Sequence, residues 1–102
     1  MMFAKKRLEL IIESPAFKRA CRVLEDAGVS GYTALPCMGG YGAGKRWQRG
    51  TDLSATRDMI VIISILDEDL LPKVIEQVNN LIGAHIGIIS VSDVEVIRDD
   101  KF

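Results

Sequence analysis

The apolar pattern of this chain passes twice from a strand-like segment to a helical repeat, and that order narrows the fold more than any other feature. Leu8, Leu10 and Ile12 recur at every second position with Arg7, Glu9, Ile11 and Glu13 between them, which predicts a strand with one buried face. Ser14 then reads as an N-cap and Pro15 as the first helical residue, where the missing N–H costs nothing. Phe17, Ala20, Leu24 and Ala27 follow at helical spacing, and Gly28 is placed to end that helix in a left-handed turn. A second strand is predicted from about Tyr32 to Met38, with Pro36 implying an edge position or an irregularity.

The cycle then repeats. Met59–Leu66 is an isoleucine- and valine-rich run that reads as a strand buried on both faces. Asp67, Glu68 and Asp69 put negative charge near a helix N-terminus, Pro72 fits a first turn, and Leu71, Val74, Val78 and Leu81 form the buried stripe. After a connection at Gly83–Gly87, Ile88–Ile97 reads as the last strand. Strand–helix–strand–strand–helix–strand is the α+β, ferredoxin-like βαββαβ arrangement over one antiparallel sheet. At 102 residues there is room for a single domain, 1–102. Both helices would cover one sheet face. The other face carries apolar residues too, and oligomerisation through it would take them out of water.

Residues 39 to 57 break the pattern. This stretch of about nineteen residues holds five of the nine glycines, four basic residues and the only tryptophan, with no apolar period, so it is expected to be a loop without secondary structure, either functional or disordered and solvated. Gly39–Lys45 has the glycine and lysine spacing of a phosphate-binding P-loop, but Arg46 stands where Ser or Thr would hold magnesium. The following Trp47–Asp52 has no helical stripe to aim an N-terminus at phosphate, so a P-loop is rejected. Consecutive N–H groups free of side chains can instead form an anion nest, with Lys45, Arg46, Arg49 and Arg57 around it. Arginine suits bidentate contact with phosphate or a carboxylate-shaped anion such as bicarbonate.

Other chemistry is sparse. Lys plus Arg total 13 against 14 for Asp plus Glu, a balance that argues against nucleic-acid binding and against an acidic tail. Hydrophobic residues at 48% and charged residues at 26% make an ordinary globular mixture. The longest apolar run, Met59–Ile63, is far short of a membrane span, and the basic start Lys5-Lys6-Arg7 leads into no signal-peptide core. The cytoplasm is the expected compartment. Cys21 and Cys37 make neither a disulfide framework nor a metal-ligand spacing; Cys21 reads as a small core residue, and Cys37 borders the loop. His85, the single histidine, lies between glycines with no nucleophile or carboxylate tied to it, and Trp47 could anchor a partner or stack on a base. No catalytic constellation and no metal site is read.

Gly28-Val29-Ser30-Gly31-Tyr32-Thr33, the glycine-rich loop, Gly87-Ile88-Ile89 and the closing Asp93-Val94-Glu95-Val96-Ile97-Arg98 together resemble the PII signalling superfamily. The similarity runs from Leu8 to Arg98 and is greater toward PII-like members linked to bicarbonate transport and carboxysomes than toward the classical nitrogen regulators. It implies a homotrimer with adenine nucleotides in the clefts between subunits and a T-loop, here approximately 39–57, that reports occupancy to a partner. Carried over by position, Thr33 would meet the adenine and Ile11 would lie beside the base. Gly40, Gly42 and Gly87 would approach the phosphates, and Arg98 would reach phosphate.

Several positions depart from the classical pattern. Ile88 stands where a lysine grips distal phosphates, Asp100 falls near the second arginine, and Gly44 near the glutamine that helps hold magnesium and 2-oxoglutarate. Tyr41 lies at the base of the loop rather than at a uridylylated tip. The resemblance therefore implies a non-enzymatic sensor of ADP or AMP rather than ATP, acting with bicarbonate on inorganic-carbon metabolism through a transporter or carboxysome partner. Lys45 and Arg46 would stand in for the lost anion contacts. The alternatives are a trimeric ferredoxin-like metal-tolerance protein, which would need a Cys, His and Met cluster, and a slow nucleotide hydrolase using Asp52 or Asp58.

Overall fold

In the computed structural model, which describes residues 1–50, 58–83, 87–100 and 102, the chain runs β1 (Phe3–Glu13), α1 (Phe17–Ala27), β2 (Thr33–Pro36), β3 (Gly39–Gly42), β4 (Lys45–Gln48), β5 (Met59–Leu66), α2 (Leu71–Ile82) and β6 (Gly87–Val96). Four strands form one antiparallel sheet in the order β2-β5-β1-β6. This is the ferredoxin-like arrangement that the succession of strand and helix patterns predicts. Leu8, Leu10 and Ile12 of β1 and Ile62 and Leu66 of β5 turn to one face. Ala20, Leu24 and Ala27 of α1 and Val74, Val78 and Leu81 of α2 close over them. Each buried Leu, Ile or Val of this set stabilises the fold by about 1.5–3 kcal/mol relative to leaving it in water.

The helix ends follow local chemistry. Gly28 has φ of 96°, its N–H donates to the Glu25 carbonyl (3.1 Å) and the Val29 N–H donates to the Leu24 carbonyl (3.3 Å). That pair of bonds is a Schellman motif, which only a residue tolerant of the left-handed region closes cheaply. The start of the same helix differs from expectation. Ser14 makes no side-chain cap; Ser14–Ala16 form a short 3-10 turn and α1 begins at Phe17. The Ser14 N–H instead donates to the Asp58 carbonyl at 2.7 Å, so the segment is satisfied from the tertiary fold. A second 3-10 turn, Glu68–Leu70, carries Glu68 and Asp69 in its first turn ahead of α2.

Two further expectations are corrected. β5 is buried on one face only: Ile62, Ser64 and Leu66 are buried while Met59, Val61, Ile63 and Ile65 are half-exposed. An unbroken apolar run hides this alternation, because both faces are aliphatic. The segment expected to lack structure from residue 39 contains a β-hairpin, β3 with β4, in which Tyr41 is opposite Arg46 and Gly42 opposite Lys45. Ala43 (φ 51°) and Gly44 (φ 77°) close it through two left-handed residues, the type I′ turn that matches strand twist. Four-residue strands with three glycines show no apolar alternation, so this hairpin has no periodic signal. Arg57 and Asp52 of the same segment, and His85, lie outside the described residues.

Candidate functional site

The sheet face opposite the helices is divided by register. Residues directly opposite one another share a face. Leu35, Val61, Ile11 and Ile88 form one aliphatic row across all four strands. Leu35 is 48% and Ile88 63% exposed at its two ends. The next row is polar except at Ile63: Thr33, Ile63, Glu9 and Ser90. Within it Glu9 accepts from Arg7 (3.2 Å) and from the Ser90 hydroxyl (3.4 Å).

At the Thr33 end of that face a cleft of ≈ 400 Å³ is lined by Ser30, Gly31, Tyr32, Thr33, Ile63, Ile65 and Phe102. Its size lies within the range of about 300–1,000 Å³ usual for small-ligand pockets. Ser64, turned into the core from the same strand as Ile63 and Ile65, donates from Oγ to the Gly31 carbonyl at 2.7 Å and so fixes the segment leading to Thr33. Tyr32 is held from the other side, its hydroxyl donating to Glu25 Oε2 at 2.5 Å. The Glu25 carboxylate, with Cys21 and desolvation adding to it, pushes the phenol pKa well up, so Tyr32 stays a donor.

Phe102 also lines a second, adjoining cleft of ≈ 290 Å³ with Gly28, Ser30, Leu66, Asp67, Asp69 and Leu70. The ring lies against Lys5, whose Nζ is 5.5 Å from its centroid, a cation–π distance. Lys5 is 7% exposed and donates to both Asp67 and Asp99. Those hydrogen bonds, Asp67 first and Asp99 next, raise its pKa against the opposing effect of desolvation. Asp67 is therefore committed to an ion pair as well as standing beside a helix start.

The residues singled out from sequence are distributed across the fold. Thr33 lies in the larger cleft; Ile11 lies in the neighbouring row, with β5 between its strand and β2. Gly87 starts β6 opposite Ile12, and a Cβ there would come within 2.7 Å of Ile82 Cδ1 and 3.1 Å of the Ile11 carbonyl. Gly40 is covered by the Trp47 indole, 2.9 Å from where a Cβ would stand, whereas Gly42 is open. Packing by itself thus calls for glycine at 87, and at 39, where a Cβ would come within 2.7 Å of the Trp47 carbonyl oxygen, whereas at 40 only the indole side chain stands in the way. Lys45 and Arg46, neighbours on β4, project to opposite faces of the hairpin. Gly39–Gly42 are extended and laddered, so these glycines form a strand and not an anion nest. Tyr41 is one residue pair from the hairpin pair that closes the turn and is largely exposed, placing it near the tip of the hairpin and not at its base. Arg98 is exposed, with Nε 3.5 Å from Asp100 Oδ1. Within one subunit these groups do not converge on a single pocket.

The root of the hairpin is tied to β5. The Arg49 N–H donates to the Met38 carbonyl (2.8 Å) and the Cys37 N–H to the Met59 carbonyl (3.0 Å). The Arg49 guanidinium also reaches the Met59 carbonyl (3.3 Å), and Asp58 Oδ1 accepts from the Gly50 N–H (3.1 Å). Asp58 is thus employed in anchoring. Desolvation raises the Cys37 thiol above its ordinary pKa, outweighing the nearby Arg49 charge, so it is a poor nucleophile at neutral pH. Among the described residues no group of three or more His, Cys, Asp and Glu side chains is gathered as a metal site. No helix among them is long and apolar enough to cross a membrane.

Ile63, Ile65, Ser64 and Phe102 are the residues that sequence reasoning missed, Ser64 bracing the cleft from the core face and the other three lining it. The first three were accessible in principle, since a two-residue repeat in β5 sends Ile63 and Ile65 to one face and Ser64 to the other. Phe102 carries no local signal, because its ring lies against Lys5 near the other end of the chain, the residue that also pairs with Asp99.

A four-stranded βαββαβ sheet with a hairpin inserted between its second and third strands is the architecture of a PII-type subunit. The chain belongs to the nitrogen regulatory protein P-II family, whose model matches residues 5–101, and stands with its PII-like members. It is similar to CPII, a nitrogen regulatory PII-like protein of Thiomonas intermedia K12 solved bound to ADP, AMP and bicarbonate. That match has 29% identity and a TM-score of 0.88, covering 100% of this chain and 96% of CPII. CPII bound to ADP and bicarbonate matches with 30% identity and a TM-score of 0.85, covering 100% and 97%. A UPF0166 protein of Aquifex aeolicus is 28% identical over 105 residues, covering 95% of this chain and 98% of the relative.

Proposed function

We propose that this chain is a non-enzymatic, cytoplasmic PII-like regulator that works as a homotrimer. In this reading it binds ADP or AMP in preference to ATP, together with bicarbonate, in clefts between subunits. The observation that carries the reading is the match over the whole chain to CPII holding ADP, AMP and bicarbonate. The cleft at Thr33, the position that would meet the adenine, agrees with it.

A trimer packed through the open sheet face would bury the Leu35–Val61–Ile11–Ile88 row. It would also bring Ile11, Gly87 and Arg98 of one subunit toward Thr33 of the next. Ile88 at the lysine position offers no charge for a distal phosphate, which favours ADP and AMP. The hairpin then belongs to the T-loop. Its exposed Tyr41 and the Lys45 and Arg46 pair would present occupancy to a transporter or carboxysome partner in inorganic-carbon metabolism. Equilibrium dialysis against labelled AMP, ADP and ATP, with light scattering on the same samples, tests this. The expected result is a trimer binding ADP or AMP at one site per subunit and ATP more weakly. A monomer, or a chain that retains none of the three nucleotides, would overturn it.

A further inference from the structure

The larger cleft has an aliphatic floor, Ile63 and Ile65, an edge of hydroxyl and backbone groups at Gly31–Thr33, and one wall, Phe102, contributed from far along the chain. We propose that Phe102 is the stacking wall of a nucleobase subsite, locked in place by Lys5; this rests on the nucleotide-binding reading above and adds a residue to it. The division of labour follows from the chemistry. An aliphatic floor gives a base area to cover but no π face, and the other aromatic lining residue, Tyr32, is engaged through its hydroxyl with Glu25 of α1. The Phe102 ring supplies that face, and stacking of a base on an aromatic side chain is favourable whatever polar groups read its edge.

The wall is tied down at two points. Lys5 Nζ holds the Asp99 carboxylate and also lies 5.5 Å from the Phe102 centroid, while Asp67 fixes the same ammonium from the end of β5. A wall held this way would cost less to order when a ligand arrives, which is how a preformed site gains affinity. Phe102 and Ser30 line both clefts, so the ring borders the acidic space beside Asp67 and Asp69 as well as the larger cleft.

Isothermal titration of the full chain with ADP and with uridine diphosphate tests this on wild type, Phe102→Ala and Phe102→Leu. Phe102→Leu keeps apolar volume without the ring and separates stacking from packing. Both variants are expected to weaken ADP at least about five-fold and to weaken uridine diphosphate less, because a purine stacks over more area. Phe102→Tyr is expected to restore wild-type affinity. ADP binding that is unchanged or tighter in Phe102→Ala, with wild type binding normally, would overturn the wall alone. Absence of ADP binding by wild type would overturn the nucleotide reading and the wall with it.

Discussion

Ser64, a buried polar residue on the core face of β5, donates from Oγ to the carbonyl of Gly31 at 2.7 Å, and so ties the strand under the cleft to the segment that forms its edge. Core and site meet at this bond. Replacing Ser64 with Ala leaves the Gly31 carbonyl without this donor and is expected to cost about 1–2 kcal/mol in urea unfolding. ADP affinity is expected to fall with it, since Gly31–Thr33 would lose its support. Unfolding and ADP affinity both equal to wild type would contradict the role given to this bond.

Gly87 is expected to be intolerant of a side chain for reasons of packing. A methyl group there would press on Ile82 Cδ1, which can move, and on the Ile11 carbonyl, which cannot do so cheaply. Gly87→Ala is expected to destabilise by about 1–3 kcal/mol in chemical denaturation without nucleotide present. Unchanged stability with impaired ligand binding would instead assign this glycine wholly to the ligand.

Trp47 reports on the hairpin. A Cβ on Gly40 would fall 2.9 Å from the indole Nε1, so Gly40→Ala is expected to push the ring outward and shift its fluorescence emission to the red. The hairpin lies outside the four-stranded sheet, and global stability is expected to change by less than about 0.5 kcal/mol. An emission maximum identical to wild type would show that the indole does not rest on Gly40.

The Lys5 pair gives a signed pH dependence. Its pKa in the folded state is raised by Asp67 and Asp99 above the ordinary 10.5. A raised cationic group contributes stability in full below its unfolded value, and that contribution disappears as pH climbs through the folded value. The stability difference between wild type and Lys5→Met is therefore expected to be flat from about pH 7 to pH 10 and to shrink at higher pH. A difference that grows with alkalinity in the same urea titrations would contradict the ion pair.

Much of the fold was legible because burial imposes periodicity. Leu8, Leu10 and Ile12 at spacing two, and Leu71, Val74, Val78 and Leu81 at helical spacing, led to the observed sheet and helices, and Gly28 to the observed left-handed turn. What escaped reading lacked that imprint. Gly39–Gly42 pair through backbone alone, so the hairpin has no side-chain pattern. The face of β5 carrying Val61, Ile63 and Ile65 is as apolar as its core face, so composition could not show which side was covered. Thr33 was marked by resemblance and lies in a cleft, while Phe102 lines that cleft beside Lys5, a long-range contact that local sequence does not encode.

Calorimetric titration of ADP into the purified chain, with and without bicarbonate, tests the proposed function most directly. The expected result is saturable binding at one site per subunit that tightens in bicarbonate. Bicarbonate binding should tighten by the same factor in ADP, as linkage requires. Flat titrations with ADP and AMP in both buffers would contradict the proposed function.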